Sequence, residues 1–246
     1  LTEVKMSNDV TIIALTLNEI DGVKEILPKI KDNWCKEIIV LDGKSKDGTI
    51  EWCESNNYKV VIQQNPGVRA AMEEVMPHVK TKYVITISPD GNCDVNFIPA
   101  IIKKLEEGDD LVIGSRYLGD AKSYDDDIIT AFGNWLFTKT VNILFSASFT
   151  DVMVIYRGWP VKLIDDLKLT KKNAYSIPER IWFTKIGIEP LMSVRAAVAK
   201  KKISEVPAGE PERIGGERKL QIIRWGGAYY TQFWLEYIRK ILKISF

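Results

Sequence analysis

Two hard oxygen donors, Asp90 and Asn92, stand two residues apart in the stretch SPDGN, where an apolar run breaks into a turn. Such a pair at an open, partly hydrated position suits Mg2+ or Mn2+ bridging a diphosphate, because both ions favour carboxylate, carbonyl and water oxygens. A plain turn uses the same residue types. Arg116 in GSRY, with Arg213 and Lys219 in ERIGGERK, supplies cations without obvious acidic partners at the strand ends. Arg clamps phosphate oxygens with a planar fork of donors, whereas Lys acts as a point charge. Asp42 in LDGKSKDGT ends another apolar run at a position suited to a ribose or base, and Asp47 or Thr49 could cap the helix that follows.

Other chemistries find little support. His78 is the single histidine, so Ser-His-Asp and Cys-His arrangements lack their base. Cys35, Cys53 and Cys93 are odd in number and widely spaced, which fits a reducing compartment and not a disulfide framework or a CxxC metal site. A formal net charge of +1 gives no global case for nucleic acid. No leader of the basic, apolar, small-residue type opens the sequence, and no apolar run reaches the ~18 to 20 residues of a spanning helix. The expectation is a cytoplasmic protein whose contact with a membrane, if any, is peripheral and at its inner face.

The elements that must position these groups read as α/β. Short apolar runs, DVTIIALTL, KEIIVLD, YKVVIQQ, KYVITIS and DLVIGSR, are too brief for helices and too uniformly apolar for one-sided strands. Between them Ile20–Lys31, Thr49–Asn56, Val68–Met76 and Phe97–Glu107 read as helices. The alternation predicts a mostly parallel central sheet with helices on both faces, and ligands beyond the carboxyl ends of its strands. Those ends are polar: TLNE, DGKSKDGT, NPGVRAA with Arg69, SPDGN and GSRY. From Ser123 the pattern turns helical behind Asp125–Asp127, an acidic trio suited to a helix N-terminus. Lys201–Leu220 reads as a strand and a Gly/Pro/charge-rich loop.

Taken together these residues resemble the family 2 inverting glycosyltransferases of the GT-A, or nucleotide-diphospho-sugar transferase, fold, and most nearly the dolichol- or polyprenyl-phosphate sugar synthase branch. The resemblance runs from about Val10 to Leu220. TLNE is similar to the first-strand P-x-x-N-E, which implies that Thr16, Leu17 and Glu19 line the base pocket. LDGKSKDGT is similar to V-D-D-G-S-x-D-G-T and implies that Asp42 contacts base or ribose, with Gly43 and Lys44 where Asp and Gly are usual. SPDGN occupies the place of D-x-D-x-[SQ]: Asp90 matches the second aspartate, Asn92 the polar residue after it, and Ser88 replaces the first aspartate. GSRY implies that Arg116 faces an acceptor phosphate. TDVMVIYR implies that Asp151 reaches the site's floor, and EPERIGGERK implies a loop whose Arg213 and Lys219 close over the diphosphate. An acidic stretch stands where that branch usually has an Arg-rich helix.

The implied reaction moves a sugar from a UDP- or GDP-sugar to a polyprenyl phosphate or a glycan with inversion, using Mg2+ or Mn2+. Arg69 joins the substrate-binding set. A lipid phosphate is already anionic and needs no base; a sugar hydroxyl does, and Asp151 or Glu189 are the candidates. Residues 1–220 form the GT-A domain and 221–246 a C-terminal aromatic amphipathic helix, with Tyr230, Phe233, Trp234, Tyr237, Ile238 and Ile241 on one stripe. That stripe reads either as core or as an interfacial face aided by Arg239, Lys240 and Lys243. A sugar nucleotidyltransferase lacks its glycine-rich signature here, and a non-catalytic nucleotide-sugar-binding or scaffold protein would account for Ser88.

Overall fold

In the computed structural model, which describes residues 9–214 and 222–246, the predicted alternation is present. β1 (Val10–Thr16) leads to α1 (Ile20–Ile26), β2 (Glu37–Asp42) to α2 (Thr49–Ser55), β3 (Lys59–Ile62) to α3 (Val68–Val75), and β4 (Tyr83–Ile87) to α4 (Ile98–Glu106). After β5 (Leu111–Ser115) come α5 (Ile128–Phe145), β6 (Arg157–Pro160), α6 (Leu163–Asp166), α7 (Ser176–Trp182), α8 (Glu189–Val198), β7 (Ile203–Pro207) and α9 (Ile222–Ile241).

The strands form one sheet in the order β3-β2-β1-β4-β6-β5-β7. Every pairing is parallel except those of β6, which runs antiparallel to β4 and β5. All residues of β4 and β5 are buried, as expected for apolar runs covered on both faces. β6 escapes sequence reading because RGWP is four residues long and carries Gly and Pro, which strands avoid. It forms only because β4 and β5 offer it a partner on each side: Gly158 pairs with both Ile85 and Val112.

Strand order reverses between β1 and β4, and ligands of such sheets bind at that reversal. Register sets Thr16 beside Asp42 and Ala14 beside Ile87, so TLNE, LDGKS and SPDGN emerge at one edge. Close approach holds them together. A Cβ added at Gly22 in α1 would lie 2.0 Å from the Pro89 carbonyl oxygen, so α1 rests directly on the turn that carries Asp90.

The terminal helix α9 packs against α5, α7 and α8. Its predicted stripe divides: Phe233 is fully buried, whereas Trp234, Ile238 and Ile241 are exposed. Arg195 of α8 and Glu236 of α9 form a buried bidentate pair at 3.0 and 2.8 Å. Arg195 also donates through Nη1 to the carbonyls of Leu167 and Lys168, so four of its five N–H groups are used. No helix among the described residues is long and apolar enough to cross a membrane.

Candidate active site

The edge described above opens into three adjoining cavities. The first, of about 490 Å3, is walled by Thr16, Leu17 and Glu19 from the β1–α1 loop, by Lys44, and by Asp90 and Arg213. Asp42 lies just beneath it, fully buried. Its carboxylate accepts from Thr16 Oγ1 at 2.8 Å, Ser45 N at 2.7 Å and Ser45 Oγ at 2.6 Å. The residue thereby locks both loops that shape this cavity. The N-cap of α2 is Gly48, not the expected Asp47 or Thr49. From one position earlier the Asp47 carboxylate accepts from Thr49 N and from Ile20 N, the first amides of α2 and α1, each at 3.0 Å. Burial pushes its carboxyl up, but the hydrogen bonds from Thr49 and Ile20 together outweigh it and hold the group below the usual range.

Asp90 and Arg213 are shared with a second cavity of about 370 Å3, as is Ser88. Four carboxylates, Asp90, Asp125, Asp126 and Glu210, and two arginines, Arg116 and Arg213, line it. Asp90 pairs with Arg213 at 3.0 Å, and the same guanidinium reaches Glu19 at 3.7 Å. Ile214 N donates to the Asp90 carbonyl at 2.9 Å. Gly91, at φ +97°, permits this docking, since a Cβ there would meet Ile214 at 2.6 Å. Asp90 Oδ1 accepts from Asn92 N at 3.1 Å, and Asn92 Nδ2 donates to Asp125 Oδ2 at 3.0 Å. Asn92 Oδ1 is buried without a hydrogen-bond partner.

That lone carbonyl oxygen, beside the Asp90 carboxylate, makes a hard-oxygen donor set of the type Mg2+ and Mn2+ accept. The residues therefore fit a divalent cation. Among the described residues no group of three or more His, Cys, Asp or Glu is arranged to hold one, so diphosphate and water oxygens must complete any shell. Cys93, next to this turn, is inert: burial, with Asp90 nearby, drives its thiol far above the ordinary range.

On the far side of the second cavity Arg116 grips Asp151 with Nε at 2.6 Å and Nη2 at 3.1 Å, and lies 3.5 Å from Glu210. Asp151 is fully buried and also accepts from the amides of Met153 and Val154 at 3.1 and 3.2 Å. Burial pushes the Glu210 carboxyl up, with Arg116 opposing.

Glu189 and Arg69 meet in the third cavity, of about 920 Å3. Arg69 pairs with Glu179 at 3.3 Å and stacks over Tyr175 at 4.4 Å. Glu189 begins α8, nearly buried, and burial raises its carboxyl while Arg157 opposes the shift. Met153, Ile155, Trp225 and Tyr229 line both the second and third cavities. Lys219 lies outside the described residues.

Sequence reading missed Asp125, Asp126, Glu210 and Arg157. Of the acidic trio only Asp127 caps α5, accepting from Thr130 N at 2.8 Å; Asp125 and Asp126 turn into the second cavity. Arg157 is fully buried and donates to the carbonyls of Val154 and Glu189 at 2.9 and 2.7 Å. It ties the Asp151 segment to the start of α8, and burial lowers its guanidinium to about 10. Its signal was the Arg of TDVMVIYR, which nothing local marked as buried.

A family model described as Glycosyl transferase family 2 matches residues 11–159. Glycosyltransferase AglJ of Haloferax volcanii is 27% identical over 227 residues, 92% of this chain and 71% of the relative. A dolichyl-phosphate hexose transferase of the same organism is 24% identical over 90% of each chain. An undecaprenyl-phosphate mannosyltransferase of Micrococcus luteus is 22% identical over 86% of this chain and 91% of its own. Among solved structures, glucosyl-3-phosphoglycerate synthase of Mycobacterium tuberculosis, in complex with Mn2+, UDP and glucosyl-3-phosphoglycerate, superposes with TM-score 0.64 at 18% identity, covering 96% of this chain and 79% of that one.

Proposed function

The chain belongs to glycosyl transferase family 2, with the GT-A fold, and we propose that it moves a hexose from a nucleotide-diphospho-sugar to a polyprenyl phosphate with inversion. One observation carries this reading: Ser88, Asp90 and Arg213 stand on the wall between two cavities, one shaped by the β1 and β2 loops and one lined by Arg116 and apolar side chains. A diphosphate at that wall would point its nucleoside into the first cavity, against Thr16, Leu17 and Glu19, with Asp42 fixing the loops from below.

Asp90 and Asn92 would hold Mg2+ or Mn2+, which when bound lends positive charge to the leaving diphosphate. Arg213 supplies charge to the same end and, with Ile214 seated on Asp90, keeps water from it. The acceptor oxygen attacks the anomeric carbon from the face opposite the diphosphate. The new C–O bond forms as the old one breaks, and the electron pair leaves on the diphosphate. A phosphate acceptor arrives ionised, so no base is required. Asp151 acts through Arg116 as a positioning residue, because its oxygens are committed to the guanidinium and to backbone amides.

The lipid acceptor is supported by two relatives, a dolichyl-phosphate hexose transferase and an undecaprenyl-phosphate mannosyltransferase, and by apolar surface beside the second cavity. Ile129 and Phe137 line that cavity, and Ile128, Phe132, Trp135 and Ile143 continue outward as exposed residues of α5. A peripheral membrane contact along this helix would bring a lipid-borne phosphate to Arg116. Glu189 favours a second reading. Its raised carboxyl in the third cavity is placed to take a proton from a sugar hydroxyl.

Incubation with labelled UDP- and GDP-hexoses, Mn2+, and either polyprenyl phosphate or free oligosaccharide separates these outcomes. Label entering the organic phase as a mild-acid-labile product is expected. Label appearing only in oligosaccharide would overturn the lipid acceptor and select Glu189 as base.

A further inference from the structure

The second cavity holds a carboxylate that the family resemblance does not supply. Ser88 stands where the first aspartate of the metal motif is expected, leaving Asp90 with a single amide neighbour, Asn92. That amide does not point into empty space. Its nitrogen donates to Asp125 Oδ2 at 3.0 Å, while its oxygen, in a residue only 8% exposed, has no partner. Asp90, Asn92 and Asp125 therefore form one hydrogen-bonded row along the wall of one cavity, joined at 3.1 and 3.0 Å.

The connector holding Asp125 is fixed at both ends. Before it, Ser123 bridges Glu210 and Tyr124 N donates to the Glu210 carbonyl at 2.8 Å. After it, Asp127 caps α5 through Thr130. Asp125 is thus set against Asn92 by anchors on either side, and capping does not require it. Unpaired buried carbonyls are costly and call for a partner, and a hard cation is the partner an amide oxygen flanked by carboxylates takes.

We infer that Asp125 is the second carboxylate toward the divalent cation, supplied from the connector before α5 in place of the aspartate absent at position 88. The inference rests on the proposed metal site at Asp90 and Asn92. It gives the acidic trio two separate tasks: Asp127 caps a helix, and Asp125 serves the cation. It also explains how acidic residues are tolerated beside a phosphate acceptor, since the charge of Asp125 is turned toward the metal.

The test is Mn2+ binding by the full chain in saturating UDP or GDP, followed by the electron paramagnetic resonance of free Mn2+, with melting curves to confirm folding. Asp125→Asn should weaken binding at least tenfold, and Asp120→Asn, an exposed change on the same connector, should leave it within twofold. Adding Ser88→Asp to Asp125→Asn should restore most of the loss. In the otherwise native chain, Ser88→Asp should change affinity less than threefold, because the second carboxylate is already present. Tighter binding by tenfold or more in that single variant would overturn the inference without relying on the fold of any Asp125 variant. So would native affinity in Asp125→Asn alongside loss in Asp90→Asn. Native affinity in Asp90→Asn would instead overturn the metal site itself.

Discussion

The first cavity, the proposed donor side of the cleft, and the second and third cavities, its proposed acceptor side, are held together by different means. Around the first cavity the contacts run between adjacent loops: Asp42 takes Thr16 and Ser45, and Asp47 takes Ile20 and Thr49. These join short side chains to backbone amides, or in the Thr16–Asp42 pair to each other, at strand ends that the parallel register has already brought together. Around the second and third cavities, buried charges far apart in sequence do the work. Arg116 holds Asp151 and Glu210, Arg157 holds the start of α8, and Arg195 holds Glu236. The difference fits what each side is proposed to receive. A nucleotide needs a fixed loop surface, whereas the proposed acceptor side joins the β6-β5-β7 part of the sheet to α5, α8, α9 and the segment carrying Asp151, and ion pairs set these against one another.

The contrast is most sharply broken at Glu236. Glu236→Ala leaves the Arg195 guanidinium buried with only carbonyl partners, and breaking such a pair costs about 3–5 kcal/mol. Urea unfolding should show that loss, while the affinity of the folded protein for UDP or GDP stays near native. A loss below about 1 kcal/mol would mean that the helices of the acceptor side are held by apolar contact alone. Next in size is Asp151→Asn, which keeps the shape but removes the charge facing Arg116. Transfer should fall about 10- to 100-fold in kcat, by analogy with loss of a supporting hydrogen-bond partner. The KM for donor should hardly move. An equal effect on donor KM would show that the two sides are not separable.

Thr16→Val probes the donor side in the same spirit. It deletes one donor to a buried carboxylate at a cost of about 1.5–3 kcal/mol, the range for hydrogen bonds to charged groups. Donor KM should rise and acceptor KM should not.

The same division decides what the sequence could disclose. The alternating apolar runs, the polar strand ends and the turn residues around Asp42, Asp47 and Asp90 are local signals, and the structure places each where its pattern implies. Asp42 was legible as a residue of the cleft but not as one lying under its floor, because burial by a neighbouring loop leaves no mark in nine residues of sequence. β6 was hidden for a related reason: RGWP becomes a strand through its neighbours and not through its own preferences. Asp125 and Arg157 were illegible as site residues because their partners, Asn92 and the Glu189 carbonyl, lie 33 and 32 positions away. A run of three aspartates before a helix has a sufficient local explanation in capping, which only Asp127 fulfils.

The smallest effect concerns pH. Burial raises the carboxyls of Glu189, Glu205 and Glu210, all near the acceptor side, above the ordinary value of 4.5. The folded state then holds protons that the unfolded chain has released, so stability falls as pH climbs from the ordinary value through the raised ones, and is flat above them. Asp47, on the donor side, is shifted the other way and contributes stability that is lost as pH drops below its ordinary value. The three raised carboxyls therefore cost stability as pH rises from the ordinary carboxyl value through the raised ones, and Asp47 costs it on acidification. Glu189→Gln removes one of the three raised groups without emptying its space. Its unfolding free energy should decline less steeply than native from about pH 5 upward, with the two proteins alike at the acid end. Parallel slopes would place the Glu189 carboxylate in contact with water and disqualify it as the base of a hydroxyl acceptor.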